Sequence, residues 1–97
     1  MIELTLIEGF EWDEGNARKN DKHGVTASEA EQVFFNHPLL MVEDTKHSRE
    51  EPRFHALGMT HMGRKLHITF TVRGTKICVI SARDMHRKER SIYEQAP

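Results

Sequence analysis

Arginine is the residue type in this sequence that is best suited to binding phosphate groups, and the arginines that we consider for this role lie in the second half of the chain. They are Arg53, Arg73, Arg83, Arg87 and Arg90. A guanidinium group matches a phosphate through paired N–H donors, so clustered arginines are typical of a phosphate-binding surface. Residues 64–97 carry a net charge of +5 and residues 1–63 carry −6. We therefore expect the C-terminal part to bind a polyanion, whereas the acidic part is suited to a basic partner.

Arg83 lies at a predicted corner between a strand and a helix. Residues 81–84, SARD, resemble a capping box with Asp in the place usually held by Glu or Gln. The helix that it would open places Arg83, Arg87 and Arg90 at i, i+4 and i+7, which predicts a cationic stripe. A solvent-exposed helix face is the alternative explanation for these charges. A structural ion pair is a further alternative for Arg83, and its candidate partners are Asp84, Glu89 and an N-terminal acid.

A predicted β-hairpin positions these arginines. Residues 66–73 alternate apolar and polar side chains with the period of a half-buried strand, and residues 76–82 form the second strand. Gly74 is the first of two central turn residues, as a type II′ turn requires. A two-residue turn gives an apolar face that pairs Val72 with Ile77, Phe70 with Val79 and Ile68 with Ser81. The polar face then pairs Arg73 with Lys76, Thr71 with Cys78, Thr69 with Ile80 and His67 with Ala82.

Length and composition restrict the class of protein. A chain of 97 residues predicts a single domain, spanning 1–97, with a small core. No apolar run approaches the roughly 20 residues that a membrane-spanning helix needs, and the N-terminus lacks the pattern of a signal peptide. The only cysteine, Cys78, excludes an internal disulfide and fits a reducing environment. We therefore expect a cytoplasmic protein with no membrane contact.

The N-terminal part predicts one strand and two helices. Residues 3–8 have the alternation of a short strand, and residues 13–22 form a weak helix that Gly24 ends. Residues 26–29, TASE, form a capping box that opens a second helix. This helix stops before Pro38, because the residue that precedes a proline disfavours helical geometry.

The middle of the chain predicts two further strands, at 39–42 and 53–61, on either side of a polar loop at 43–52. With the hairpin and the C-terminal helix, the order of elements is β-α-α-β-β-β-β-α. This order predicts an α+β fold, in which a small antiparallel sheet is packed with two N-terminal helices and one C-terminal helix.

Seven short fragments, spread over nearly the whole chain, resemble the BrnT family of toxins from bacterial type II toxin–antitoxin systems. They are Phe10-Glu11-Trp12-Asp13, Lys22-His23-Gly24-Val25, Glu51-Pro52-Arg53-Phe54, Ala56-Leu57-Gly58, Thr71-Val72-Arg73-Gly74, Ile80-Ser81-Ala82-Arg83, and Glu89-Arg90 with Tyr93. Each fragment alone is weak, but their common order and similar spacing are specific. The sequence departs from the family at Cys78, where many relatives carry a basic residue.

The resemblance implies a RelE-like fold and a metal-independent endoribonuclease that inhibits translation. It also implies a BrnA-type antitoxin, a ribbon-helix-helix protein encoded beside the toxin, with two toxins and two antitoxins in the complex. Operator DNA would be reached only through the antitoxin. No cofactor is expected. The alternative is a non-enzymatic module of the same fold that binds RNA or a protein.

Metal-free RNA cleavage requires a base for the 2′-hydroxyl proton, cations around the pentacoordinate phosphate, and an acid for the leaving 5′-oxygen. Arg73, Arg83 and Arg53 are the candidate catalytic cations. The candidates for base and acid are His23, Lys22, Glu51 and His67, and the sequence does not choose among them. For further RNA contacts we expect His67, Lys76, Arg87 and Arg90.

Other chemistries have weaker support. His55, His61 and His67 are six residues apart, which is not the spacing of a known zinc site. Cys78 has no nucleophile signature around it. The glycine of the hairpin turn does not belong to a phosphate-binding loop.

Overall fold

The computed structural model of the chain describes residues 6–12, 23–47 and 51–97. The strands are β1 (Gly9–Glu11), β2 (Leu40–Glu43), β3 (Arg53–Met59), β4 (Lys65–Arg73) and β5 (Lys76–Asp84). The helices are α1 (Ala27–Gln32), a 3-10 helix that continues it (Val33–Phe35), and α2 (Arg87–Glu94). No helix in these ranges has the length and apolar character needed to cross a membrane.

The strands form one mixed sheet in the order β1-β5-β4-β3-β2. The neighbouring pairs β2–β3, β3–β4 and β4–β5 are antiparallel, but β1 runs parallel to β5, with Phe10 beside Ile77. The prediction of a purely antiparallel sheet was therefore wrong. A two-residue turn forces β4 and β5 to be antiparallel, whereas β1 reaches the sheet edge from a distant part of the chain and is free of that constraint.

The predicted helix content was also wrong. The described residues contain two short α-helices, α1 in the middle of the chain and α2 at its C-terminal end, and not two N-terminal helices and a C-terminal one. The first predicted helix, at 13–22, lies outside the described residues. The first predicted strand, at 3–8, lies partly outside them, and the strand observed in this region is β1.

The capping box that predicts α1 is present. The Glu29 N–H donates to Thr26 Oγ1 at 3.0 Å, and the Thr26 N–H donates to Glu29 Oε1 at 3.1 Å. These two bonds satisfy N–H groups that have no partner within the helix, so they fix its first turn. Ala30 of α1 and Val33 of the 3-10 helix are fully buried.

The hydrophobic core lies between this helical segment and one face of the sheet. Ile68 and Phe70 of β4 are fully buried there, and the Phe34 ring meets the Phe70 ring edge-on at 5.1 Å. The contact is close at Gly58, where an added Cβ would clash with the Val33 side chain. This packing leaves the other face of the sheet to the polar side chains of β3, β4 and β5.

The predicted hairpin turn is present, and the predicted register is correct near it. Gly74 has a φ of +62°, as glycine readily adopts. The pairs nearest the turn match the prediction, and they are Arg73 with Lys76, Val72 with Ile77, Thr71 with Cys78 and Phe70 with Val79.

A β-bulge changes the register farther from the turn. Thr69 pairs with Ser81, so Ile80 is an extra residue in β5. Three predicted pairs are therefore wrong, and they are Ile68 with Ser81, Thr69 with Ile80 and His67 with Ala82. Ile68 pairs with Ala82 and His67 with Arg83. The bulge keeps the buried Ala82 on the core face and brings Arg83 to the polar face.

The predicted start of the C-terminal helix was also wrong. Strand β5 continues through Arg83 to Asp84, and α2 begins at Arg87. The SARD segment at 81–84 is thus strand and not a capping box, because pairing with β4 continues along it. Arg83 consequently does not share a helix face with Arg87 and Arg90.

Candidate active site

Arg83, His67 and Glu89 form an ionic cluster at the end of the polar sheet face. Arg83 and His67 are cross-strand partners on β5 and β4. Arg83 Nη1 donates to Glu89 Oε1 at 2.8 Å, and its Nη2 donates to Glu89 Oε2 at 3.1 Å. His67 Nε2 lies 4.0 Å from Glu89 Oε2. The cluster therefore combines a cation, a carboxylate and an imidazole within one small area.

Glu89 holds Arg83 in place and also caps α2. Its Oε1 accepts the His86 N–H at 2.9 Å, in the position that a capping-box acid occupies. Burial by itself raises the pKa of Glu89, but hydrogen bonds from Arg83 and from the His86 N–H outweigh burial, and the pKa falls to about 2. The carboxylate is therefore ionised at neutral pH, and it fixes Arg83 against the first turn of α2.

His67 is neutral in this environment. Burial, followed by the positive charge of Arg83, lowers the pKa of His67 from 6.5 to about 4, although the Glu89 carboxylate opposes this shift. Its side chain is 13% exposed, and Nδ1 is buried with no hydrogen-bond partner among the described residues. A neutral imidazole is able to accept a proton at neutral pH.

A second histidine lies against His67. The His55 and His67 ring centroids are 5.0 Å apart, with an interplanar angle of 34°. His55 Nε2 lies 2.8 Å from Asp44 Oδ2, and His55 Nδ1 lies 3.1 Å from Thr69 Oγ1. The same Asp44 oxygen lies 2.8 Å from His47 Nδ1. Hydrogen bonding from His55, followed by that from His47, lowers the pKa of Asp44 to about 2 against the effect of burial.

Arg73 and Glu51 form a separate ion pair at the hairpin end of β4. Arg73 Nε donates to Glu51 Oε2 at 2.8 Å, and Arg73 Nη2 donates to Glu51 Oε1 at 3.0 Å. These hydrogen bonds lower the pKa of Glu51 and raise that of Arg73. Arg73 Nη1 also lies 3.9 Å from Glu11 Oε2 on β1. Since six residues of extended β4 separate Arg73 from His67, the two clusters lie roughly 20 Å apart.

The remaining predicted site residues on strands and α2 lie around these clusters. Lys76 is exposed opposite Arg73, and Arg53 begins β3 opposite Thr71. Arg87 and Arg90 are exposed on α2. Arg90 Nη1 donates to the Met85 carbonyl at 3.0 Å.

His23 is exposed in the turn before α1. The neighbouring Gly24 carbonyl accepts from Arg64 Nη1 at 2.9 Å, and Arg64 Nε in turn donates to Asp84 at 2.8 Å. Asp84 pairs with the buried Leu66, so this network belongs to the face opposite Arg83 and His67. Lys22 lies outside the described residues.

No group of three or more His, Cys, Asp and Glu side chains within 6–12, 23–47 and 51–97 is arranged to hold a metal ion. The Asp44 carboxylate does meet two imidazoles, but it does so through hydrogen bonds.

The comparison with protein families identifies the chain. The model of the ribonuclease toxin BrnT, of type II toxin–antitoxin systems, matches residues 12–89. The chain belongs to the BrnT family. The match covers β3, β4 and β5 completely and ends at Glu89. A comparison with curated protein sequences returned no match.

Membership of the BrnT family gives the protein its general function. It is a ribonuclease toxin of a type II toxin–antitoxin system, so its target is RNA and its partner is an antitoxin. The resemblance seen in the seven sequence fragments is thereby confirmed. The roles of individual residues in this BrnT protein stay predictions.

Sequence reasoning missed Asp44, His55 and Glu89 as members of this site. A partial signal for His55 was present, because the turn predicted at Met62-Gly63 makes β3 and β4 neighbours. The pairing of His55 with Thr69 depends on a turn of three residues, 61–63, with the Thr60 N–H donating to the Arg64 carbonyl, whereas a two-residue turn would pair His55 with Phe70. Glu89 entered the sequence reasoning only as a candidate ion-pair partner of Arg83. The position of Asp44 carries no local signal, since it depends on how β2 pairs with β3.

Proposed function

We propose that this BrnT protein is a metal-independent endoribonuclease that cleaves RNA at the polar sheet face, with Arg83 and His67 at the centre. The observation that carries the proposal is the cross-strand pair of a guanidinium and a neutral, largely buried imidazole. Titratable groups with strongly shifted pKa values beside a charged partner are typical of functional sites, and the family is one of ribonucleases.

In the proposed reaction, Arg83 binds the scissile phosphate. Its Nη1 and Nη2 are engaged with Glu89, whereas its Nε–H has no hydrogen bond within the part of the chain that is described. Glu89 therefore holds the guanidinium in place, and in this scheme the Nε–H is the donor that meets the phosphate. The positive charge stabilises the additional negative charge of the pentacoordinate phosphate.

His67 accepts the proton of the 2′-hydroxyl in this scheme. The 2′-oxygen forms a bond to phosphorus, and the bond from phosphorus to the 5′-oxygen breaks. His67 takes the proton from the 2′-oxygen and solvent water gives a proton to the 5′-oxygen, so the products are a 2′,3′-cyclic phosphate and a 5′-hydroxyl. The imidazolium then loses its proton to solvent. The Glu89 carboxylate, 4.0 Å from His67 Nε2, stabilises the imidazolium that forms.

The outlying cations hold the RNA on either side of the scissile phosphate. Arg73 and Lys76 lie at the hairpin end, and Arg87 and Arg90 extend the positive charge along α2. Arg53 lies between the two clusters on β3. Such contacts bind phosphates without reading bases, so they position the strand.

We further propose that cleavage inhibits translation and that the antitoxin is of the BrnA type, with two toxins and two antitoxins in the complex. The antitoxin would cover the basic part of the toxin with an acidic segment, because residues 64–97 carry a net charge of +5. Two-fold symmetry of a DNA-binding antitoxin dimer would then relate the two toxins.

Purified protein and naked RNA, incubated with a chelator of divalent ions, test the activity. We expect internal cleavage with 2′,3′-cyclic phosphate ends. Retarded migration of intact RNA would instead identify a binding module and contradict the proposal.

Expression of the chain alone should stop bacterial growth through loss of translation. Full growth with verified production of folded protein would count against inhibition of translation.

A further inference from the structure

His55 is held at three points, although the proposed reaction assigns it no step. Asp44 binds its Nε2, Thr69 binds its Nδ1, and the His67 ring lies against its face at 5.0 Å. The side chain of Asp44 is only 12% exposed and that of His55 is 31% exposed. A histidine on an open strand face would ordinarily turn toward water, so these contacts define one ring orientation.

The hydrogen bonds also define the tautomer of neutral His55. An ionised carboxylate only accepts hydrogen bonds, so His55 Nε2 carries a proton and donates it to Asp44 Oδ2. His55 Nδ1 is then an acceptor, and the Thr69 hydroxyl donates to it. Both nitrogens are occupied, which prevents direct proton exchange between His55 and a substrate.

His67 is surrounded by charged and titratable groups from four directions. Arg83 lies opposite on β5, Glu89 on α2 and His86 immediately before α2. His55 of β3 lies on the remaining side, and Asp44 is hydrogen-bonded to the far nitrogen of His55. The first three adjoin the place proposed for the phosphate, whereas His55 covers the ring from the side of β3.

We propose that His55 is a positioning residue for His67 and that Asp44 acts on the reaction through His55. The proposal rests on the proposed function of His67 as the proton acceptor. The His55 ring excludes water from one face of His67 and restricts its rotation, so Nε2 stays directed toward Glu89 and Arg83. Loss of this orientation lowers the rate, because proton transfer requires hydrogen-bonding distance and a misplacement of about 1 Å costs about 100-fold.

Proton NMR titration of the His67 ring tests the contact without RNA. The pKa of His67 is about 4, with burial as the largest cause. His55→Ala opens the ring to water, so we expect the pKa of His67 to rise by at least about one unit toward 6.5. His55→Phe keeps a ring in place and should leave the pKa low. The control His61→Ala changes an exposed histidine in the turn between β3 and β4 and should have no effect.

Kinetics with naked RNA tests the consequence. His55→Ala should lower kcat by about ten-fold or more with little change in KM, because the cations that hold RNA are untouched. The acidic limb of the pH–rate profile should move to higher pH together with the pKa of His67. Melting curves establish that each variant is folded at the assay temperature.

A double-mutant cycle tests the role of Asp44. Asp44→Ala should lower kcat in the wild-type background and have no further effect in the His55→Ala background. An equal loss in both backgrounds would show that Asp44 acts independently of His55 and would overturn the proposed role of Asp44.

An unchanged pKa of His67 in folded His55→Ala would overturn the proposed role of His55. If wild-type protein fails to cleave RNA, the proposed function is wrong, whereas the titration still decides whether His55 controls His67.

Discussion

His67 and Arg83 are cross-strand partners because β5 contains one extra residue, Ile80. If the register near the turn continued unchanged, Arg83 would lie opposite the buried Leu66 and face the core. Beyond the bulge, each side chain of β5 lies on the opposite face of the sheet from the one that the register near the turn would give. Phe70 and Val79 lie between the bulge and the turn and stay in the core. A single inserted residue thus places the guanidinium beside the imidazole.

Arg83→Ala should lower kcat for RNA cleavage by about 100-fold or more, since the main ligand of the scissile phosphate is lost. The fold should change little, because Glu89 still caps α2 through the His86 N–H. Cleavage rates and thermal melting of the purified variant measure the two effects. Lys88→Ala removes an exposed cation from the same region and serves as the control. Normal cleavage by folded Arg83→Ala would show that Arg83 is not a phosphate ligand.

The free energy of unfolding should rise with pH between about 4 and 6.5 because of His67. The unfolded chain binds a proton at His67 near pH 6.5, but the folded protein binds it only near pH 4. Lowering the pH through this window therefore favours the unfolded chain, by up to about 3 kcal/mol. His67→Gln does not titrate, so its urea-unfolding curves should show a flatter dependence on pH. Parallel curves for the two proteins would mean that burial does not suppress the charge of His67.

Charge reversal at Arg87 and Arg90 should weaken both RNA cleavage and antitoxin binding. Both side chains are exposed on α2, within the part of the chain that carries the +5 excess. Wild-type toxin should melt at a higher temperature with its antitoxin than alone, and association should slow as salt rises. For Arg87→Glu/Arg90→Glu, we expect a lower association rate and a larger KM for RNA. Loss of cleavage with unchanged antitoxin affinity would show that the two surfaces are separate.

Gly58→Ala should destabilise the protein by about 1–3 kcal/mol through overpacking. The added Cβ would meet the buried Val33 side chain and approach Leu39 Cδ1 at 3.3 Å, so the helical segment has to shift away from β3. Chemical denaturation measures the loss. Gly9→Ala is the matched control, because a Cβ there meets nothing within 4 Å. Equal stability of the two variants would mean that the core adapts at Gly58 without strain.

The sequence alone determined the features that depend on neighbouring residues. The capping box of Thr26 and Glu29, the turn at Gly74, and the pairs from Arg73 to Phe70 with their partners were all predictable. Each is set by side chains within a few positions of one another, where local geometry leaves few alternatives. The motifs also identified the family, since fragments in a fixed order carry information that no single residue holds.

Only the tertiary structure decided which of the chemical residues meet. The bulge at Ile80 arises because buried Ala82 and Ile68 must share the core face, and a local pattern does not reveal it. Pairing of β2 with β3 brings Asp44 to His55, and the start of α2 brings Glu89 to Arg83. These contacts span 11 and 6 residues, and β1 reaches β5 across more than 60. These contacts form because burial of the whole hydrophobic core stabilises the fold. No single segment of the sequence contains enough information to predict that stabilisation.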